Sequence, residues 1–225
     1  MRKIHFFFLV FLSLIVTTSC YNSDSRSKMT KEQEDSIAQV KRDSARVADS
    51  IARINRIIAD SMAKVDEAKK QAIIKKAKKN FRYKTDEFEN RSWVYHNTTP
   101  RYTNRNSVHL YFQQDSDGSV SNLRFRVQYE DDDWLFIDNI IFNIDGENET
   151  FIPDRMERDN DSRIWEWCDE PASLNKDLVE KIANAKKVKL KLNGRQYYNT
   201  RTMNPGQIKA FKETLDFYYA LGGSL

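Results

Sequence analysis

Residues 31 to 79 contain no Gly, Pro, Trp or Tyr and carry a narrow apolar stripe, a combination that favours a helix over every other structure. The stripe, called the heptad seam below, has members that alternate three and four residues apart: Ile37, Val40, Ser44, Val47, Ile51, Ile54, Ile58, Ser61, Val65, Ala68 and Ala72. This is the spacing of the a and d positions of a coiled coil. Charged residues fill the remaining faces, as the solubility of a long helix requires. We predict one helix over residues 31–80.

A helix with so narrow an apolar side cannot form a core of its own, so the heptad seam predicts a homo-oligomeric coiled coil, dimeric or trimeric. At about 1.5 Å per residue the helix would reach roughly 75 Å. Ser44 and Ser61 interrupt the seam. The alternative is a solvated spacer helix that folds back onto the rest of the chain.

Composition changes abruptly at Asn80 and Phe81. Residues 30 to 80 hold thirteen Lys or Arg against eight Asp or Glu, whereas residues 81 to 225 hold twenty against twenty-four. All four Trp and every Gly and Pro lie after this point. The sequence therefore predicts a basic helix followed by an acidic domain over residues 81–225. Lysines at the end of the helix complement the helix dipole, so we expect no nucleic-acid partner.

The domain has the patterns of an antiparallel sheet. Leu123, Phe125, Val127 and Tyr129 alternate with polar residues, which indicates a strand with one buried face. The nearly apolar run over residues 134–144 predicts a central strand covered on both sides. Three dipeptides predict hairpin turns: Asp117-Gly118, Asp145-Gly146 and Asn193-Gly194.

Two helices interrupt the strands of this domain. The segment over residues 174–185 places Leu178, Ile182 and Ala185 on one apolar face. Asn204-Pro205 with Gln207 has the cap, first-turn Pro and amide of a helix start. Gly222 would end the second helix. The predicted class is α+β: a long N-terminal coiled-coil helix and an antiparallel, sandwich-like β-rich domain with two helices.

The N-terminus has the three zones of an export signal: Arg2 and Lys3, an apolar run over residues 4–16, and small residues up to Ser19. The alternative is a retained transmembrane helix, but the run is shorter than the roughly 20 residues that span a membrane. The segment Val16-Thr17-Thr18-Ser19-Cys20 resembles a lipobox of the relaxed kind found in Bacteroidota lipoproteins, with Thr17 where the commonest form has Leu.

That resemblance implies a signal peptide over residues 1–19, acylation of Cys20 (palmitate among the chains), and a flexible tether over residues 20–30. Two or more acyl chains anchor a protein stably to a membrane. The expected location is the cell envelope, where the chain would be an outer-membrane lipoprotein that faces either the periplasm or the cell surface. The alternative use of Cys20 is a disulfide with Cys168, the only other cysteine.

A short unit recurs in the helix: Asp35-Ser36, Asp43-Ser44, Asp49-Ser50 and Asp60-Ser61, each followed by a small or branched apolar residue. It resembles the Bacteroidota O-glycosylation sequon, which implies glycans on Ser36, Ser44, Ser50 and Ser61. The alternative is a degenerate coiled-coil repeat, because Ser44 and Ser61 fall within the heptad seam.

The C-terminal part resembles a functionally unassigned β-domain of bacterial and phage-encoded lipoproteins. The resemblance rests on Asp86-Glu87-Phe88 with Trp93 and Tyr95, then on residues 123–129, 132–137, 164–167 and 194–198. It implies export and a β fold, and it transfers no site residues.

The sequence offers no catalytic, metal or cofactor signature. His96 and His109 lack zinc-ligand spacing, and the acidic turn at Asp115 lacks the ligands of a calcium loop. The best ligand platform is Trp165 and Trp167 on one face of a strand, for which core packing is the alternative.

These patterns predict a non-enzymatic, lipid-anchored binding module on a helical stalk, with an unknown protein or glycan partner. Two other functions stay open: a carboxylate-dependent hydrolase of the envelope, and a phage-type exclusion lipoprotein.

Overall fold

The computed structural model describes residues 30 to 225, apart from the side chain of Lys78. The predicted signal peptide, Cys20 and residues 21–29 of the predicted tether lie outside this range. The chain has the predicted α+β class, with one long helix, an antiparallel β-rich domain and two further helices. Two compact units divide it between Ile58 and Ala59, so the C-terminal part of the long helix belongs to the same unit as the β-rich domain.

Helix α1 (Lys31–Asn80) occupies the segment for which the helix was predicted. The Thr30 carbonyl accepts the first amide hydrogen bonds, and Glu32 and Glu34 complement the dipole in the first turn. Apolar residues of the heptad seam are exposed on the single chain, from 46% at Ile37 to 63% at Val40. The seam is therefore an apolar surface that the described residues leave open.

The end of α1 packs onto the β-rich domain. Ala77 is buried in the core, with Ile73 and Ile74 packed against it. Glu213 accepts hydrogen bonds from Lys76 Nζ (2.7 Å) and Asn80 Nδ2 (3.1 Å). The next residue, Phe81, already belongs to a strand.

Ten strands follow, numbered along the chain: β1 (Phe81–Asp86), β2 (Arg91–His96), β3 (Ser107–Asp115), β4 (Val120–Asp131), β5 (Ile137–Ile144), β6 (Glu147–Phe151), β7 (Glu157–Asn160), β8 (Ile164–Pro171), β9 (Val188–Gly194) and β10 (Tyr198–Thr202). They form a six-stranded sheet of order β1-β2-β3-β4-β8-β7 and a four-stranded sheet of order β10-β9-β5-β6. Every pairing is antiparallel.

Helix α2 (Lys176–Asn184), preceded by a 3-10 turn at Ala172–Asn175, and helix α3 (Pro205–Ala220) complete the domain. The predicted start of α3 is confirmed by a capping box, in which the side chains of Asn204 and Gln207 bond to each other's backbone amide groups. The helix predicted at residues 174–185 starts two residues later as an α-helix, and Leu174 is exposed.

One face of the six-stranded sheet forms the core. Phe125 of β4 meets Phe142 of β5, with ring centroids 6.2 Å apart, and Phe211 of α3 at 6.0 Å. Phe217 of α3 lies 4.8 Å from Phe81 of β1. The four-stranded sheet and α3 thus cover the same side of the larger sheet, which gives the predicted sandwich.

The run over residues 134–144 is not a strand buried on both sides, as its apolar composition predicted. Trp134 to Phe136 form a connection, and the strand begins at Ile137. Within β5 the burial alternates, because polar residues such as Asp138 and Asn143 occupy the positions that face away from the core. An antiparallel sheet with one solvated face produces this pattern.

Glu166 of β8 shapes the connection before β5. Its carboxylate is fully buried and accepts hydrogen bonds from the amides of Leu135 (2.8 Å), Phe136 (2.7 Å) and Ile137 (3.0 Å). Arg158 of β7 donates a fourth at 3.0 Å. Phe136 takes a positive φ of 55°, which this clamp maintains.

Asn193-Gly194 is not the hairpin turn that the dipeptide predicted. Strand β9 continues to Gly194, and residues 195–197 make the connection to β10, closed by the Gly194 amide on the Tyr197 carbonyl at 2.8 Å. A Cβ atom on Gly194 would lie 1.9 Å from the Leu135 carbonyl oxygen. The glycine therefore serves a close backbone approach. Asp117-Gly118 and Asp145-Gly146 lie between paired strands, as predicted.

Candidate functional site

The candidate site lies on the face of the six-stranded sheet that points away from the core, called the outer face below. Strand register assigns to it the residues that alternate with the core residues of five strands. These include Arg82, Lys84, Trp93, Tyr95, His109, Tyr111, Arg124, Arg126, Trp167 and Asp169. Aromatic rings and cations are therefore interleaved across the sheet.

A row of side chains runs across four neighbouring strands. Arg82 lies over the Tyr95 ring at 5.2 Å, and Tyr95 stacks on Tyr111 with centroids 4.8 Å apart. Arg124 is the cross-strand partner of Tyr111. Cation–π and stacking contacts of this kind stabilise the row and fix its geometry.

Asp169 of β8 joins two arginines of β4 to this row. Its carboxylate accepts hydrogen bonds from Arg124 Nε, at 2.9 Å, and from the Tyr111 hydroxyl group. It also lies 3.6 Å from Arg126. Burial, followed by the Asp169 charge and hydrogen bond, raises the pKa of Tyr111, which keeps the phenol protonated. Arg126 also lies over the Trp167 ring at 5.9 Å.

The loop between β2 and β3, residues 97–106, folds over one end of the outer face. Arg82 donates hydrogen bonds to the carbonyls of His96 (2.6 Å) and Thr99 (2.8 Å). Gln128 donates to the Tyr102 carbonyl at 3.0 Å. These bonds fix the loop, so the cavity beneath it is formed before any ligand arrives.

This cavity, called the loop cavity below, has a volume of about 420 Å³. Its lining residues come from β1, β2, β3, β4 and the loop: Arg82, Tyr83, Lys84, Tyr95, Pro100, Arg101, Tyr102, Thr103, His109, Arg126 and Gln128. The volume lies within the range of small-molecule sites.

His109 forms part of the cavity wall as a neutral base. It is buried and lies 3.0 Å from the Ser107 hydroxyl through Nδ1. Burial, then the charges of Arg126 and Arg82, lowers its pKa to about 3. The imidazole therefore adds no charge to the site near neutral pH.

The two tryptophans predicted as a ligand platform share the outer face. Trp167 is partly buried beneath Arg126, whereas Trp165 is 8% exposed. Trp165 is therefore nearly covered although it lies on the face away from the core, and Trp167 forms the edge of a larger aromatic surface. Glu166, between the two tryptophans, points to the opposite face, where its carboxylate accepts the amide hydrogen bonds of residues 135–137.

Other candidates from the sequence lie away from this face. Ser36, Ser44, Ser50 and Ser61 are exposed on α1. Asp117 accepts the Ser119 amide in a turn. Cys168 is a free, fully buried thiol, and burial raises its pKa to about 12. Within residues 30–225 no group of three or more His, Cys, Asp or Glu is placed to hold a metal ion.

Sequence reasoning missed most of the loop cavity. The alternation in β4 indicated only that Arg124 and Arg126 point away from the buried face of that strand. Arg82, Lys84, Tyr95 and Arg101 received no role as ligand-binding residues. The alternation Arg82-Tyr83-Lys84 opposite Trp93-Val94-Tyr95 carried the available signal, because it puts cations and rings on one face once β1 and β2 pair.

Comparisons with family models, with curated proteins and with solved structures find no match for this chain. The helices in the described part of the chain include none that is long and apolar enough to cross a membrane.

Proposed function

We propose that this chain is a lipid-anchored protein of the cell envelope whose β-rich domain binds a ligand through the outer face, while α1 forms an oligomeric stalk. The observation that carries the binding role is the outer face itself. Aromatic rings and cations are arranged there around a preformed cavity. The core, the second sheet and helices α2 and α3 lie on the opposite side of the sheet.

Energetics supports a binding role for this arrangement. Tyr111 is buried, while Arg124 and Arg126 keep side-chain exposures of 22% and 20%. A packed aromatic layer with partly exposed charges above it loses little conformational entropy on association. Preorganised aromatic and Arg side chains are the residues that dominate binding energies at interfaces.

The binding role is tested with the mature chain from residue 20 that carries Cys20→Ser. Glycan arrays and crosslinking to isolated envelopes are compared for this protein and for its Arg126→Gln variant. A matched control is Lys191→Gln on the four-stranded sheet, which removes the same charge. We expect Arg126→Gln alone to lose ligand; equal retention by all three proteins would reject the outer face as a binding site.

The anchor is proposed from Cys20 and the residues before it. Cells that express the full chain are grown with labelled palmitate. We expect label in the wild-type protein and none in Cys20→Ser, and label in both would refute acylation at this residue. Intact mass of the purified mature protein also tests glycosylation of Ser36, Ser44, Ser50 and Ser61, which would appear as regular mass increments.

A further inference from the structure

The loop cavity carries a concentration of positive charge that its own residues do not neutralise. Four cations line it: Arg82, Lys84, Arg101 and Arg126. No carboxylate lies among the lining residues, all of which belong to the described part of the chain. With His109 neutral, the cavity has a formal charge of four positives.

The hydrogen bonds of Arg82 leave its charge in place. Its partners are the carbonyls of His96, Thr99 and Pro100, which are dipoles and not anions. Burial and then repulsion from Arg101 lower the pKa of Arg82. Within residues 30–225, Lys84 and Arg101 form no ion pair.

Arg126 is only partly compensated. It shares Asp169 with Arg124, whose Nε is closer to that carboxylate, 2.9 Å against 3.6 Å. The Nε atom of Arg126 is buried and has no hydrogen-bond partner among the described residues. Arg126 keeps a side-chain exposure of 20%, and an anionic acceptor in the cavity would add to the charge compensation that Asp169 supplies.

The neutral part of the lining indicates what carries the anion. It consists of Tyr83, Tyr95 and Tyr102, the hydroxyl of Thr103, the amide of Gln128 and His109, and Pro100 is its one aliphatic residue. Of these residues, Tyr102 is the most open to solvent, with an exposure of 73%. An acidic peptide would need apolar subsites for its other side chains. A sugar instead presents hydroxyl groups, which can bond to the tyrosine, threonine and glutamine side chains of the lining, and ring faces that can stack on tyrosine.

A second cavity of about 520 Å³ lies between the same loop and the start of α3, but it lacks these properties. Arg105 is its one cation among the lining residues. The polar groups of Asn204 and Gln207 are used in the capping box, and Thr214 bonds to the Ala210 carbonyl. These three side chains are therefore already satisfied.

We propose that the loop cavity binds an acidic carbohydrate, with Arg82, Lys84, Arg101 and Arg126 around its carboxylate, sulfate or phosphate group. This inference rests on the proposed binding role and names the ligand class for the same face.

The test uses the mature chain from residue 20 with Cys20→Ser, which retains every described residue. Its affinity is measured by calorimetry for oligogalacturonate, a heparin oligosaccharide, neutral maltohexaose, inorganic phosphate and an oligoglutamate peptide. The site variant is Lys84→Gln with Arg101→Gln, since both side chains are exposed. Lys187→Gln with Lys189→Gln, exposed residues at the start of the four-stranded sheet's β9, removes the same charge elsewhere.

We expect an acidic oligosaccharide to bind, its affinity to fall as salt increases, and the site variant to lose about tenfold. The control variant should change by less than about twofold. Thermal unfolding verifies that both variants fold. The carboxylated and sulfated probes and inorganic phosphate distinguish which oxyanion is preferred.

Three results would overturn the proposal. Equal losses in the site and control variants would mean non-specific charge attraction. Tighter binding of oligoglutamate would assign the cavity to acidic peptides. If no anion binds but Arg126→Gln still abolishes capture of another ligand, the acidic carbohydrate is rejected and the proposed binding role stands. If nothing binds at all, both proposals are rejected.

Discussion

At the residue scale, the buried neutral imidazole of His109 ties stability to pH. Its folded pKa of about 3 lies below its ordinary value of 6.5, so the unfolded state binds more protons between these values. Stability is therefore full above about pH 6.5 and declines as the pH falls. The groups that face it are the Ser107 hydroxyl, the cations Arg82 and Arg126, and Tyr111.

We expect the domain to lose about 2 kcal/mol of unfolding free energy between about pH 7.5 and pH 5 through this residue. His109→Gln should remove most of that loss. Urea unfolding of the unsubstituted protein and of His109→Gln at both pH values measures it. An unchanged slope in His109→Gln would show that other groups cause the pH dependence.

Glu166 gives a second prediction at this scale. Glu166→Gln would set an amide NH₂ against backbone amides and Arg158, which all donate. We expect a loss of about 3 kcal/mol, because it removes one partner of a buried charge pair. Glu157→Gln, whose carboxylate pairs with exposed Arg155, should cost less than about 0.5 kcal/mol. Similar urea midpoints for the two variants would contradict the clamp.

At the element scale, Glu213 fastens the end of α1 to the domain. Burial acts to raise its pKa, but hydrogen bonds from Lys76 and His96 outweigh it and hold the pKa below the usual 4.5. A carboxyl with a lowered folded pKa stabilises the native state above its ordinary pKa. That stabilisation is lost as the pH falls through the folded value.

We expect Glu213→Ala to leave Asn80 and His96 without this acceptor and to weaken the docked end by about 1 kcal/mol. Amide hydrogen exchange should show about fivefold less protection over residues 73–80. Glu149→Ala, which removes an exposed ion pair with Lys181, serves as the control. Loss of protection in the control alone would show that Glu213 does not hold the end of α1 on the domain.

Elements with a regular period were predictable from the sequence, and contacts between distant segments were not. The seam of α1 and the alternation in β4 are local patterns, so they indicated structure and exposure directly. The prediction that residues 134–144 form one buried strand was wrong, because apolar composition does not show which residues enter a strand. The start of β5 depends on Glu166, about thirty residues away.

The loop cavity escaped prediction for the same physical reason. Its lining residues come from four strands and a loop, and the loop has no periodicity to show that it folds back over His109. The predicted Trp165–Trp167 pair was found because alternation within one strand is visible in sequence. The partners of Trp167 in β4 become visible only with the strand register.

At the scale of the whole molecule, the exposed heptad seam makes self-association the main expectation. Ile51 and Ile58 are 53% and 51% exposed on the single chain. Burial of such side chains in a coiled coil contributes about 1.5–3 kcal/mol each. We expect sedimentation equilibrium to give a dimer or trimer and Ile51→Asn with Ile58→Asn to give a monomer. Arg53→Asn with Asp60→Asn, outside the seam, should leave the oligomer intact; a wild-type monomer would refute the stalk.

The state of Cys168 has a practical consequence for spectroscopy. Its thiol is fully buried and its pKa is about 12, so alkylating reagents will find almost no thiolate there at neutral pH. A mature chain with Cys20→Ser is in effect a background without reactive thiols. Thr103→Cys, at a lining position that carries no charge, would then place a single fluorophore in the loop cavity, where its emission can report occupancy in real time.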